Sequence, residues 1–326
     1  MRTSSALTSK TALTLPSGDC IRFFTDRDAD KLIQRVRKRN VFARHSWENS
    51  FYLNRIRQFA NKTIIEVYRH GQPNDFADGA RRDADLFEKL ALLSSSVPSK
   101  KRLLRDIGVT SGLKAGLEFI AGSGDRFLRA KTKPISSAKG LLVDERFGRR
   151  FGRYGFADLF AFCVSGQGLS HRVFASINWL AESRLEMKLE ASIVKTAIAL
   201  ESLLIFSESE RLARSLSERA AFMLSPMPEK RRRISKIVRR FYDARSGVVH
   251  GSRDKAKRAS AELLETVDRL VIMLNLTIAA NGRAWCSQEA LREWCENERW
   301  SAPSTDVKIP YPDSYLRKAL ELLGSL

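Results

Sequence analysis

Apolar residues recur three and four positions apart over most of the C-terminal half, which is the period of an amphipathic helix. Ile193, Ile198, Leu200, Leu203 and Leu204 form one such stripe over about 185–206. After a short corner at 207–210, Leu212, Leu216, Ala220 and Leu224 form another over about 209–224. Pro226 and Pro228 then break the chain, because proline lacks the backbone donor and clashes inside a helix. A third helix is expected from about 229 to His250, with Ile234, Ile237, Val238 and Phe241 facing inward and Gly251 as a helix stop. A fourth, over about 254–280, packs through Leu263, Val267, Leu270, Val271, Met273 and Leu274. Four such helices joined by short connections predict a bundle. Weaker periodicity at 287–297 and 312–324 predicts two more helices on its side.

The N-terminal half is less regular. Residues 20–26 (CIRFFTD) read as a short strand, and 51–70 as a helix ending at Gly71. A second helix is expected over 75–94. Residues 95–98 and 133–139 read as loops, and Gly112, Gly116, Gly122 and Gly124 interrupt the stretch between them. Helical character resumes over 170–181. The expected fold is mainly α, a C-terminal four-helix bundle preceded by an α or α+β region. It divides into a basic N-terminal region (1–170), the bundle (171–282) and a helical extension (283–326).

Composition narrows the class. With 326 residues, 43% of them apolar, the chain can bury a core and is not disordered as a whole. Its net charge of +20, from 57 Lys+Arg against 37 Asp+Glu, points toward a polyanionic partner. Residues 1–180 carry 32 basic and 17 acidic side chains, the rest 25 and 20. Clusters occur at Arg35, Arg37, Lys38 and Arg39, at Lys100, Lys101, Arg102 and Arg105, and at Arg146, Arg149, Arg150 and Arg153. They are either a phosphate-binding face or solvated surface. Phe147, Phe151, Tyr154 and Phe156 interleave the last cluster, placed either to stack on unpaired bases or to tuck under a loop. The four cysteines (20, 163, 286 and 295) form no C-x-x-C pair, which argues against a structural zinc site. No apolar run reaches the about 18 residues of a membrane span. No signal-type stretch opens the sequence, so a soluble cytoplasmic protein is expected.

Charge and pattern converge on KRRRISKIVRRFYDARSGVVHG, residues 230–251. Seven basic residues lie between Lys230 and Arg240, and Arg232, Lys236, Arg239 and Arg240 can share the face opposite Ile234, Ile237 and Phe241. Arg245 and His250 follow. On an ideal helix they stand about 7.5 Å apart along the axis and about 140° apart around it. One chain does not bring them together unless the helix loosens before Gly251. Two copies across a two-fold axis would place two arginines and two histidines in one cleft, a geometry suited to phosphoryl transfer.

Arg245 to His250, in RSGVVHG, fits an R-x4-H motif. Upstream stand Ala199-Leu200-Glu201-Ser202-Leu203-Leu204 and Ser217-Glu218-Arg219-Ala220-Ala221, and Tyr242-Asp243-Ala244 leads into the motif. Over about 172–280 this order resembles the Apea-like branch of the HEPN superfamily. The resemblance implies a helical bundle that dimerises. It further implies a metal-independent, cofactor-free endoribonuclease of toxin–antitoxin or antiviral defence systems, with the RNA 2′-hydroxyl as nucleophile. On that reading His250 moves a proton and Arg245 neutralises the scissile phosphate. Glu201 and Arg219 support them or pair with each other. Many active members have Asn, Asp or His after the motif arginine. Ser246 stands there instead, as is usual in this branch, four residues before His250 and able to bond its ring or the phosphate. RNA would be held by Arg232, Lys236, Arg239 and Arg240, with Arg149, Arg150 and Arg153. The partners implied are RNA, a second copy of the chain and an inhibitory antitoxin or other regulator.

Plainer readings stand beside these. The bundle is alternatively a non-catalytic module for RNA, a nucleotide or a protein. His250 alternatively caps a helix end, and Arg245 bridges to Asp243 or to another helix. Glu201 lies in an apolar stretch and needs a partner such as Arg219. His45, His70 and His171 read as structural. A metal-dependent nuclease would draw on Asp26, Asp28 and Asp30 or on Asp83 and Asp85, neither set specific. Neither G-x-x-x-x-G-K-[ST] nor G-x-G-x-x-G is present.

Overall fold

The computed structural model describes residues 13–14, 20–24, 64–68, 73–95, 109–121, 128–138, 151–186, 188–207, 212–252, 254, 258–300 and 306–323. Nine helices and five strands lie among the described residues, so the chain is mainly helical. It divides into two compact units: residues up to Asp85 with Leu104–Arg150, and Leu86–Leu103 with Phe151–Leu326.

The first unit contains two antiparallel sheets. Strands β1 (Leu13–Thr14), β2 (Cys20–Phe24) and β3 (Ile64–Tyr68) pair in that order, with Ile21 opposite Val67. The strand expected at 20–26 is present as β2. The helix expected over 51–70 is corrected for 64–68, which is a strand. Ile64, Ile65, Val67 and Tyr68 are β-branched or aromatic, types that fit a pleated ladder better than a helix surface. Strands β4 (Val109–Ala121) and β5 (Leu128–Ala138) form a two-stranded ribbon. Residues 133–138, expected as a loop, belong to β5, with Pro134 opposite Ala115. In a ribbon of two strands each strand is an edge, where a missing proline donor leaves no ladder bond unmade. Gly112 and Gly116 likewise lie within β4, and the register shifts between Val109 and Leu113, around Gly112. Helix α1 (Pro73–Ser95) matches the helix expected at 75–94.

The second unit takes up α1 from Leu86 onward and adds eight helices. These are α2 (Phe156–Ser165), α3 (Ser170–Leu185), α4 (Leu189–Leu204), α5 (Leu212–Leu224), α6 (Pro228–His250), α7 (Ala261–Ala280), α8 (Gln288–Trp300) and α9 (Asp313–Glu321). The helices expected from periodicity over α3–α9 are all present. The fourth starts at Ala261 rather than near 254, where Ser260 caps it by accepting from the Leu263 amide at 3.1 Å.

Helix α7 is the axis of this unit. Every residue from Leu263 to Ile278 is buried, against α2, α3, α4, α5, α6 and α9. A helix covered on all sides must pair its charges, since an isolated buried charge costs several kcal/mol. Asp268 accepts from Thr196 Oγ1 at 2.8 Å and lies 3.6 Å from Arg184, while Arg269 reaches Glu265 at 2.9 Å. Ser183 and Ser192 exchange hydroxyl-to-carbonyl bonds at 2.9 and 3.0 Å, closing the α3–α4 hairpin. No helix among the described residues is long and apolar enough to cross a membrane.

Candidate functional site

Helix α6 carries most of the residues that the sequence singles out, and its ends are fixed by local chemistry. Pro228 occupies the first turn, where its missing N–H goes unused. Gly251 closes the helix at φ 71°, a left-handed conformation cheap only for glycine. The backbone remains helical through His250. Ile234, Ile237, Val238 and Phe241 are fully buried, as their spacing predicts.

The seven basic residues divide in two. Lys230 donates to Asp313 at 2.7 Å, Arg231 to Glu298 and to the Ser225 carbonyl, and Arg233 to the Leu320 carbonyl at 2.8 Å. These three clamp α6 to α8 and to the C-terminal helix. Arg232, Lys236, Arg239 and Arg240, joined by Arg231, line an open groove of about 860 Å³ between α5 and α6. Arg232, Lys236 and Arg240 make no ion pair with the described residues.

The carboxylates of the groove are already engaged. Asp243 accepts from Arg258 at 2.7 Å. Glu218 accepts from Arg214 at 2.8 Å and from Arg299 at 2.6 Å, with Arg239 at 3.8 Å. Burial pushes the Glu218 carboxyl up, but the hydrogen bonds from Arg214 and Arg299 outweigh it and hold it below its ordinary value. Arg239 also donates to Ser217 Oγ at 3.1 Å. Phe222 lines the same wall, with the Arg231 guanidinium 5.0 Å from its ring centroid.

The motif residues face a different neighbour. Arg245 is half-buried; its Nη2 lies 3.7 Å from Glu201 Oε1 on α4, and its guanidinium stands 5.4 Å from the Tyr242 ring centroid. Tyr242 Oη donates to the same Glu201 oxygen at 2.8 Å. Burial, and then that hydrogen bond to a carboxylate, push the Tyr242 phenol well above its ordinary value, so it stays a donor. Of the two salt bridges open to Arg245, the one to another helix forms; Asp243 is taken by Arg258. Ser246 is half-buried and His250 exposed at the helix end. The helix does not loosen before Gly251, so within one chain Arg245 and His250 keep the separation of an ideal helix.

Arg219 corrects one expectation. It does not pair with Glu201, whose partners are Tyr242 and Arg245. Its Nη1 donates to the Leu204 carbonyl at 2.6 Å and its guanidinium stands 4.2 Å from the Phe206 ring centroid, so it caps the C-terminal end of α4. Arg172 acts beside it, donating to the Ile205 carbonyl and to Gln288. Arg219 therefore anchors the turn that follows Glu201. No residue pattern points to this role, because backbone carbonyls at a helix end leave no residue-type signature.

Of the remaining N-terminal residues, Arg153 is exposed, while Arg149 and Arg150 lie outside the described residues. Phe151 and Phe156 are not available to bases: they are 3% and 0% exposed and pack on each other at 5.5 Å, with Phe87 at 5.4 Å from Phe151. Tyr154 packs on Tyr315 at 6.4 Å. His171 bonds the Gly168 carbonyl at 3.2 Å, while His45 and His70 lie outside the described residues, as do Asp26, Asp28 and Asp30. No group of three or more His, Cys, Asp or Glu side chains able to hold a metal ion occurs among the described residues. Cys295 is buried and its thiol is pushed up to about 12, chiefly by that burial, which keeps it protonated. Arg258, Phe222 and the Glu218 hub were missed from sequence. Asp243 was the available signal, since an acid within a basic face marks a place where an ion pair can form.

No protein-family model matches the chain, and no curated protein or solved structure matches it either.

Proposed function

We propose that this chain is a metal-independent endoribonuclease of the HEPN kind. Helices α4–α7 form its four-helix bundle, and two copies together build the catalytic site from Arg245 and His250. The observation that carries the reading is the divided disposition of this pair. Arg245 is held in place by Glu201 and Tyr242 on one side of α6. His250 is exposed elsewhere around the same helix, beside Val249, an apolar side chain that is 47% exposed. Each is half of a site, and a two-fold related copy supplies the other half while covering Val249.

In that cleft a base takes the proton from the RNA 2′-hydroxyl, whose oxygen then bonds to the adjacent phosphorus. The bond from phosphorus to the 5′ oxygen breaks, and an acid returns a proton to that oxygen. The products are a 2′,3′-cyclic phosphate and a 5′-hydroxyl. His250 of one copy takes that proton as base and returns it as acid, and Arg245 of the other copy neutralises the charge that develops on the phosphoryl oxygens. Ser246 positions the ring or the phosphate. A role in toxin–antitoxin or antiviral defence, with an antitoxin or other regulator holding the activity in check, follows from the same resemblance.

The groove favours a second reading, a non-catalytic module that binds RNA, a nucleotide or a partner protein through Arg232, Lys236, Arg239 and Arg240. Incubating total RNA with purified protein in EDTA separates the two. The nuclease reading expects fragments with cyclic phosphate ends, lost in both Arg245→Ala and His250→Ala while both variants still fold and bind. Binding without cutting by wild type and variants alike would favour the module. Cutting that survives in both variants but stops with EDTA would overturn the Arg/His mechanism.

A further inference from the structure

The groove between α5 and α6 has a direction. Counting from Arg232, the residues Lys236, Arg239, Asp243 and His250 follow four, seven, eleven and eighteen positions later. At about 100° per residue they all lie within about 40° of Arg232 around the helix, and His250, five turns on, returns to the same azimuth. Arg245 falls about 140° away, on the Glu201 side. The side chains behave accordingly: Arg232, Lys236, Arg239 and His250 are exposed. The basic groove and the histidine thus share one face of one continuous helix.

We infer that this face is a track for a single nucleic-acid strand, which runs from Arg232 past Lys236 and Arg239 and delivers its backbone to His250. The inference rests on the RNA reading above and adds the path of the substrate. Arg232, Lys236 and Arg239 stand about 6 and 4.5 Å apart along the helix axis, comparable to the separation of successive phosphates on a single strand, and His250 follows about 16.5 Å beyond Arg239. Arg232 and His250 stand about 27 Å apart, so roughly four phosphates lie between them. A single row of cations on one helix matches one strand rather than a duplex. The two groove carboxylates do not cancel the row, because Asp243 is neutralised by Arg258 and Glu218 by Arg214 and Arg299. Phe222, half-buried in the groove wall, adds an aromatic surface for a base at the Arg232 end.

Fluorescence anisotropy with a 12-nucleotide RNA, 2′-O-methylated throughout so that it cannot be cut, tests the track apart from the chemistry. The triple variant Arg232→Gln/Lys236→Gln/Arg239→Gln changes exposed residues. Its control, Arg292→Gln/Arg317→Gln/Lys318→Gln, removes the same charge from exposed positions on α8 and α9. Each phosphate contact to a single strand contributes about 0.7 to the slope of log affinity against log salt. The groove variant is expected to flatten that slope by about 2 and to weaken binding roughly tenfold or more, with the control near wild type. Equal effects in the two variants would overturn the track. So would a poly-glutamate peptide that binds through the same three residues and is not displaced by the RNA, which would assign the groove to an acidic protein segment. A wild type that binds through the groove but never cuts refutes the nuclease reading alone, and a wild type that cuts with no groove effect on binding refutes the track alone.

Discussion

Glu201 shows how much one side chain can organise. Placed in an apolar stretch of α4, it satisfies its charge with Arg245 and its hydrogen-bonding capacity with Tyr242. The need for a partner was legible, since a lone carboxylate there is costly. Its identity was not, because Arg219 and Arg245 are both arginines on neighbouring helices and only packing chooses between them. The arrangement makes Tyr242 and Glu201 thermodynamically coupled. Tyr242→Phe is expected to cost about 1.5–3 kcal/mol in urea unfolding, the range for a hydrogen bond to a charged group. Made in a Glu201→Gln background, the same change should cost clearly less. Strictly additive losses would show that the hydrogen bond does not carry the effect.

At the scale of elements, α6 was the most legible part of the chain. Its proline start, glycine stop and apolar stripe each follow a local rule, and all three are found. The division of its seven cations was not legible, because three of them answer to partners on α8, α9 and the turn before α6. The β-strands were harder still. β5 holds a proline, and β3 has apolar spacing that a helix also satisfies, so the ladder partner decides. Glu218 links these elements, reaching Arg299 on α8 and Arg239 on α6. Its folded carboxyl lies below the ordinary value of 4.5, so its stabilisation is complete above that value and fades as pH falls through the folded one. Glu218→Gln should therefore cost about 1 kcal/mol at neutral pH, and the gap to wild type should narrow below about pH 4.5 in urea titrations. A gap that stays constant with pH would contradict the assignment.

For the molecule as a whole, periodicity predicted helices but not how many neighbours each has. Helix α7 reads as a bundle helix with one packing face, yet it is covered on all sides because α2, α3 and α9 join α4–α6 around it. Glu265, Asp268 and Arg269 break its apolar pattern, yet they are buried and paired. The proposed site, shared between two copies, is beyond any single-chain pattern and requires the second copy. Mixing two inactive variants tests this most directly. Arg245→Ala and His250→Ala proteins, each unable to cut RNA alone, are unfolded together, refolded as a mixture and assayed in EDTA. Each mixed dimer then holds one intact arginine from one protomer and one intact histidine from its partner. The mixture is expected to regain cutting and to leave cyclic phosphate ends. A mixture as inactive as its components, beside an active wild type treated in the same way, would contradict a site shared between two copies.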